Sequence, residues 1–490
     1  MKRSVAVVIL AVAVAGCARG QKGPDFETWF VDRTLRVDYY HTGSAAGEVF
    51  AVDRMYDQGA WAGPRGRLVD LFGLGRYAVK VYDEASGKLI FSQGFDSYFG
   101  EYKTSDDGVA GVPRTYHESA LLPVPKKPVR FAIEARDREN VFRTVWTRTI
   151  DPADASIIRE RPIPGVKVVE SVRSGEPGRK VDIAVIAEGY TAAEEGKFEA
   201  DLARFTGFFL GFEPYKSHRD RFNIRGVFKP SGESGCDEPS HGSYKSTALD
   251  ATFDSLGSER YLLTENNRSL RDIAAHVPYD ALVIMVNHAR YGGGGIYNLY
   301  CTFTADNPWT EYLFLHEFGH SFTGLADEYY TSDVAYNEFY PAGVEPAEPN
   351  ITALLDPDAL KWKALASPGI AVPTPWEKTA FDDLGKAYQK SRREMNERIA
   401  RLKREGGPAA EIARAEEESE RMSREQADKV DAFLKASAYR GKVGAFEGAG
   451  YAAKGLYRPE IDCLMFSRGR KPFCKVCEAA VLRTILSYTD

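Results

Sequence analysis

Apolar and polar residues alternate through much of the first third of the chain. Thr34-Leu35-Arg36-Val37-Asp38-Tyr39-Tyr40 keeps a period of two, and residues 77–82 repeat it before Ala85-Ser86-Gly87-Lys88 and a second apolar run at 89–91. Residues 129–135 and 141–146 flank the charged turn Asp137-Arg138-Glu139-Asn140. Regular hairpins without amphipathic helices predict a β-sandwich over residues 27–150. His41 and His117 stand alone in it and predict surface or core roles. Residues 151–180 carry Pro162, Pro164, Pro177 and several glycines and read as a linker. The pattern then changes. Residues 181–186, 222–228 and 281–286 are apolar runs of strand length, while Phe198, Leu202, Phe205 and Phe209 recur at helical spacing within 191–212. Residues 292–295 read as a flexible glycine turn before a fourth strand at 296–303. Strands and helices thus alternate into an α/β layer over 181–490. Residues 385–435 interrupt it with dense Lys, Arg and Glu around Gly406-Gly407-Pro408, which predicts a solvated hairpin of two charged helices. The fold class expected is α+β multidomain.

The start of the chain reads as an address. Met1-Lys2-Arg3 precedes an apolar stretch at 5–15, too short to span a bilayer, and then Gly16-Cys17. Val14-Ala15-Gly16-Cys17 resembles the lipobox of bacterial lipoproteins. That resemblance implies a signal peptide over residues 1–17, cleaved before Cys17, lipidation of Cys17 and a tether over 18–26. It implies a body held on a lipid bilayer in the bacterial cell envelope. Because Ala18 is not Asp, the outer membrane or cell surface is the expected location.

Scarce residues narrow the chemistry. Among 490 residues there are 8 His, 6 Cys and 6 Met, and the net charge of -6 leaves no basic surplus for nucleic acid. Beyond Cys17 remain Cys236, Cys301, Cys463, Cys474 and Cys477. In an oxidising envelope Cys474-x-x-Cys477 predicts a local disulfide. A second zinc site there would need two further ligands, and only Cys463 is close in sequence.

The informative segment is Leu313-Phe314-Leu315-His316-Glu317-Phe318-Gly319-His320. It contains H-E-x-x-H, which on a helix puts His316 and His320 on one face, able to meet one zinc at about 2.0–2.1 Å. Glu317 then sits beside the zinc-bound water as general base. No His follows His320, so an acid is the natural third ligand. Gly324 can end the helix and turn the chain back, which places Asp327 to meet the metal. Glu328 is its nearest competitor, and Glu338, Glu345 or Glu348 would be more distant choices.

The segment resembles the metzincins, in which a Gly ends the helix and a ligand follows three residues later. It departs from them in that Gly324 lies four residues after the second His rather than three. A methionine beneath the metal is also implied, and Met465 in Ile461-Asp462-Cys463-Leu464-Met465-Phe466 is the candidate. The wider set is similar to the bacterial IgA-peptidase family of zinc metallopeptidases: the motif with Ser321-Phe322, Gly324-Leu325-Ala326-Asp327-Glu328-Tyr329, Tyr457-Arg458-Pro459 leading to Cys463-Leu464-Met465, residues 182–190 and Ser231-Gly232-Glu233-Ser234-Gly235. Arg36-Val37-Asp38-Tyr39-Tyr40-His41-Thr42-Gly43 is similar to that family's amino-terminal domain. The resemblance implies a metzincin-like zinc endopeptidase acting on protein or peptide substrates, without naming immunoglobulin as substrate. The competing expectation is a non-catalytic surface-binding lipoprotein with a vestigial or structural metal site. An intact Glu317 speaks against it, since a structural site has no use for that base.

Overall fold

A computed structural model describes residues 23–159, 162–330 and 339–489. The expected signal peptide and Cys17 lie outside the described residues, as does Glu338.

The first third is built from strands and the rest is α/β. β1 (Phe30–Ser44), β2 (Gly47–Gln58), β3 (Tyr77–Asp83), β4 (Leu89–Phe95), β5 (Arg114–Pro125), β6 (Val129–Arg136) and β7 (Phe142–Ile150) form two antiparallel sheets, ordered β2-β1-β5 and β4-β3-β6-β7. One core joins them, with Leu35, Val37 and Tyr39 of β1 meeting Val79, Phe91 and Phe131. The alternation in β1 predicts that Arg36 and Asp38 face water. Instead both are buried. Arg36 donates twice to the Asp38 carboxylate, at 2.7 and 2.6 Å, and once to Asp272 at 2.7 Å. Asp272 belongs to the helix Asn267–Ala274 of the second half, so the polar face of this sheet is an internal seam. A fully paired Arg-carboxylate network is how such a seam satisfies buried charge. His41 is buried too, with Nδ1 3.0 Å from Glu118 and Nε2 3.1 Å from Glu48.

The second half is organised on β8 (Lys167–Val172), β9 (Val181–Glu188), β10 (Phe222–Phe228), β11 (Ala281–Val286), β12 (Gly293–Ile296) and β13 (Tyr300–Thr304), in the order β12-β13-β11-β9-β10-β8. The four inner strands are mutually parallel and buried along their whole length, which accounts for their unbroken apolar runs. The two outer strands are antiparallel to their neighbours. Both differ from the sequence reading. β8 lies inside the expected linker, and the glycine turn is itself strand β12. Glycine suits β12 because a Cβ on Gly295 would lie 2.4 Å from the Glu317 carbonyl oxygen and 2.8 Å from His320 Cβ. The strand passes too close to the helix Thr310–Thr323 for any side chain there.

That helix, hereafter the motif helix, packs by Phe314 and Phe318 against Phe205 and Phe209 of the helix Glu195–Phe209. The charged hairpin consists of Lys378–Arg404 and Ala409–Ala436, joined at Gly406 with φ 66. It begins at Lys378 rather than Gly385, because Phe381 seats its base in the core. β14 (Phe446–Ala449), β15 (Ala452–Arg458) and the helix Lys475–Tyr488 complete the chain. No helix of the described residues is long and apolar enough to cross a membrane.

Candidate metal centre

Local signals start and stop the motif helix. Asn307 Oδ1 accepts from Trp309 N, Thr310 Oγ1 donates to the Asn307 carbonyl, and Gly324 ends the helix at φ 67. The Gly324 N–H donates to the His320 carbonyl and that of Leu325 to Gly319, which closes the last turn. The turn brings Asp327 back over the helix. Asp327 Oδ1 lies 3.0 Å from His316 Nε2 and 3.2 Å from His320 Nε2, and the two Nε2 atoms are 3.1 Å apart.

The outer ring nitrogens fix which atoms face inward. His316 Nδ1 donates to the Leu464 carbonyl at 3.1 Å and His320 Nδ1 to the Leu325 carbonyl at 2.6 Å. Each neutral ring then presents its Nε2 lone pair to the centre. Three acceptors within 3.2 Å of one another, in a buried place, repel unless a cation lies among them. Asp327 Oδ1 is buried and accepts no hydrogen bond, which leaves it free for such a cation. Burial works against a charged His320, but Asp327 outweighs it and raises the imidazole to about 9. Burial would raise Asp327, and His320 and His316 instead hold it well below its ordinary value. A carboxylate oxygen of Glu317 lies within 4.8 Å of a ring nitrogen of each histidine, and burial pushes its carboxyl up.

Of the alternative acids, Glu328 points away into a group of cysteines. Glu345 accepts from Ala353 N and pairs with Lys361, and Glu348 accepts from Tyr340. Met465 is fully buried, and a Cβ on Gly319 would meet its sulfur at 3.1 Å, so it packs directly under the motif helix. All five described cysteines are free, so the local Cys474–Cys477 disulfide is not formed. Cys474 instead caps the C-terminal helix, its sulfur accepting from Cys477 N.

The chain matches the family described as IgA Peptidase M64 over residues 169–485, and the Peptidase M64 N-terminus over residues 25–147. It belongs to the IgA peptidase M64 family. Comparison with curated proteins finds no match. M64 proteins are metallopeptidases, so this chain is a peptidase, a hydrolase that binds protein or peptide substrates.

Two parts of this M64 site were not read from the sequence. Tyr451 donates to Asp327 Oδ2 at 2.5 Å, from a loop more than a hundred residues away. The hairpin is not merely solvated. Tyr388, Gln389, Gln426 and Val430 line the same cleft as the histidines, together with Asp96 and Glu101 from the first third. Trp309 Nε1 donates to Glu420, Arg468 to Ser423 and Asn396 to Glu259, which hold the hairpin against the cleft.

Proposed function

We propose that this M64 peptidase is a zinc-dependent endopeptidase in which His316, His320 and Asp327 hold the metal and Glu317 is the general base. The reading is carried by the convergence of His316 Nε2, His320 Nε2 and Asp327 Oδ1 within 3.2 Å, with Oδ1 otherwise without a hydrogen bond. Three protein ligands leave a coordination position open, as catalytic zinc sites do.

Zinc bound there would supply Lewis acidity, acidifying a water and polarising the scissile carbonyl. The residues do the rest. Leu464 and Leu325 hold the rings by their Nδ1 atoms, and Tyr451 holds Asp327 by its second oxygen. Glu317 takes a proton from the attacking water and delivers it to the leaving amine nitrogen, a role to which its raised carboxyl pKa is suited. Glu317→Gln should keep its metal and lose casein cleavage; full activity in that variant would sink the mechanism.

The envelope anchor is part of the same proposal. It rests on Val14-Ala15-Gly16-Cys17 following a basic start and a short apolar stretch. In a bacterial host fed labelled palmitate, the chain should take up label and partition into detergent, and Cys17→Ser should do neither. An unlabelled, water-soluble wild-type chain would refute it.

A further inference from the structure

Directly behind the histidine site is a second group with ligand chemistry. Cys463, Cys474, Cys477 and Glu328 are each at most 3% exposed, and their sulfur and carboxylate atoms lie within 4.8 Å of one another. They come from three parts of the fold: the segment after the motif helix, the loop before the C-terminal helix and the first turn of that helix. We propose that these four residues bind a second, structural zinc ion.

Four observations carry this. The donor set is complete: three thiols and one carboxylate can fill a tetrahedral shell without water, which distinguishes a structural site from the open one formed by the histidines. The spacing also fits. With zinc–sulfur bonds of about 2.3 Å, ligand atoms of a tetrahedron stand about 3.8 Å apart. Glu328 Oε1 is 3.1 Å from Cys477 Sγ and 3.8 Å from Cys474 Sγ.

Next, the backbone is arranged for thiolates. Cys463 Sγ accepts from the N–H groups of Met465, at 3.4 Å, and Cys474, at 3.1 Å, and Cys474 Sγ accepts from Cys477 N at 3.4 Å. The positive end of the helix Lys475–Tyr488 adds to this, and the buried Arg458 supplies positive charge beside Glu328 and Cys463. Last, the group is unbalanced without a cation. Glu328 Oε2 is buried with no hydrogen-bond partner, at a completely buried residue. A disulfide between two of the sulfurs would leave both the third thiol and this carboxylate unanswered, whereas one divalent ion engages all four. Three soft thiolates with one carboxylate favour zinc over magnesium or calcium.

The position gives the ion a task. Glu328 follows Asp327 in the chain, its N–H donates to the Met465 carbonyl at 2.9 Å, and the neighbouring Leu464 carbonyl orients His316. The second zinc therefore ties together the two segments that aim a ligand at the first.

The test uses the full chain with His316→Ala and His320→Ala combined, which removes the first site and leaves the second untouched. About one zinc per chain should remain after dialysis against a mild chelator. X-ray absorption at the zinc edge should show three sulfur neighbours at about 2.3 Å and one lighter atom. In the wild-type chain a thiol-directed mercurial should release about one equivalent of zinc. A folded double variant without zinc, zinc without sulfur neighbours, or a disulfide among the three cysteines in the unreduced wild-type chain would each overturn the proposal. Because the double variant is inactive by design, these outcomes do not depend on the catalytic reading.

Discussion

Asp327 and Glu328 are consecutive, yet their carboxylates serve opposite sides of one backbone segment. Asp327 Oδ1 lies 3.0 Å from His316 Nε2, while Glu328 Oε1 lies 3.1 Å from Cys477 Sγ. One short stretch after Gly324 thus closes two clusters.

The two acids should therefore fail differently. Asp327→Asn removes the anion from the histidine site and should lower kcat/KM by about a hundredfold or more through lost metal. Glu328→Gln leaves the histidine cluster intact and should lower the melting temperature of the chain. Zinc content and thermal melts of both variants distinguish the roles. The reverse pattern would make Glu328 the catalytic ligand.

Tyr451 acts through Asp327. Removing the hydroxyl that donates to Asp327 Oδ2 frees the carboxylate to turn, and an outer hydrogen bond of this kind typically contributes about 10–100-fold in metal affinity or activity. Tyr451→Phe should weaken zinc binding within that range in a competition titration with a chromophoric chelator. Unchanged affinity would mean that Asp327 is oriented by the turn at Gly324 alone.

How much of this was legible in the sequence depends on the distance over which each feature is encoded. His316, His320, the Gly324 end of their helix and Asp327 lie within a dozen residues, so periodicity and spacing suffice to bring them together. The inner strands announce themselves because both faces are buried. β12 does not, because Gly293, Gly294 and Gly295 have no side chains from which to read a period. At Gly295 that absence is required by the helix beneath. β8 is a half-exposed edge in a Pro-rich stretch. The polar face of β1 looked solvated because Arg36, which holds Asp38, is also paired with Asp272, more than two hundred residues on. The Cys463, Cys474, Cys477 and Glu328 group was hidden for the same reason: its fourth member is distant in sequence.

A pH dependence of stability follows from His41, which is far from the metal. Burial would lower its pKa, but Glu118 and then Glu48 raise it above the ordinary value. Glu48 is opposed by burial and brought down to about 2 mainly by His41. A raised histidine contributes stability that is fully present below about pH 6.5 and is lost as pH rises through its folded value. A lowered carboxylate contributes stability above its unfolded value near 4.5, lost as pH falls through about 2. The pair should thus stabilise most between about pH 4.5 and 6.5. In melts from pH 5 to 9, His41→Gln should flatten the decline of the chelated protein on the alkaline side. An unchanged slope would show that His41 does not gain a proton on folding.

Gly295 gives the sharpest test of how the strand and motif helix are matched. A methyl group there meets the Glu317 carbonyl oxygen and His320 Cβ, both rigid parts of the motif helix, so the contact cannot be relieved by rotating a side-chain end. Either β12 moves outward or the helix shifts, and Glu317 and His320 then change position relative to the strand. A misplacement of about 1 Å at reacting groups can cost about a hundredfold in rate. Gly295→Ala should therefore lower kcat/KM by roughly that factor and lower the melting temperature. Gly196 is the control: it lies in the helix Glu195–Phe209 with open space around its Cβ position, and alanine there should leave activity unchanged and raise stability by about 0.5–1 kcal/mol. Wild-type kinetics in Gly295→Ala would mean that the close approach of β12 has no part in aligning Glu317 and His320.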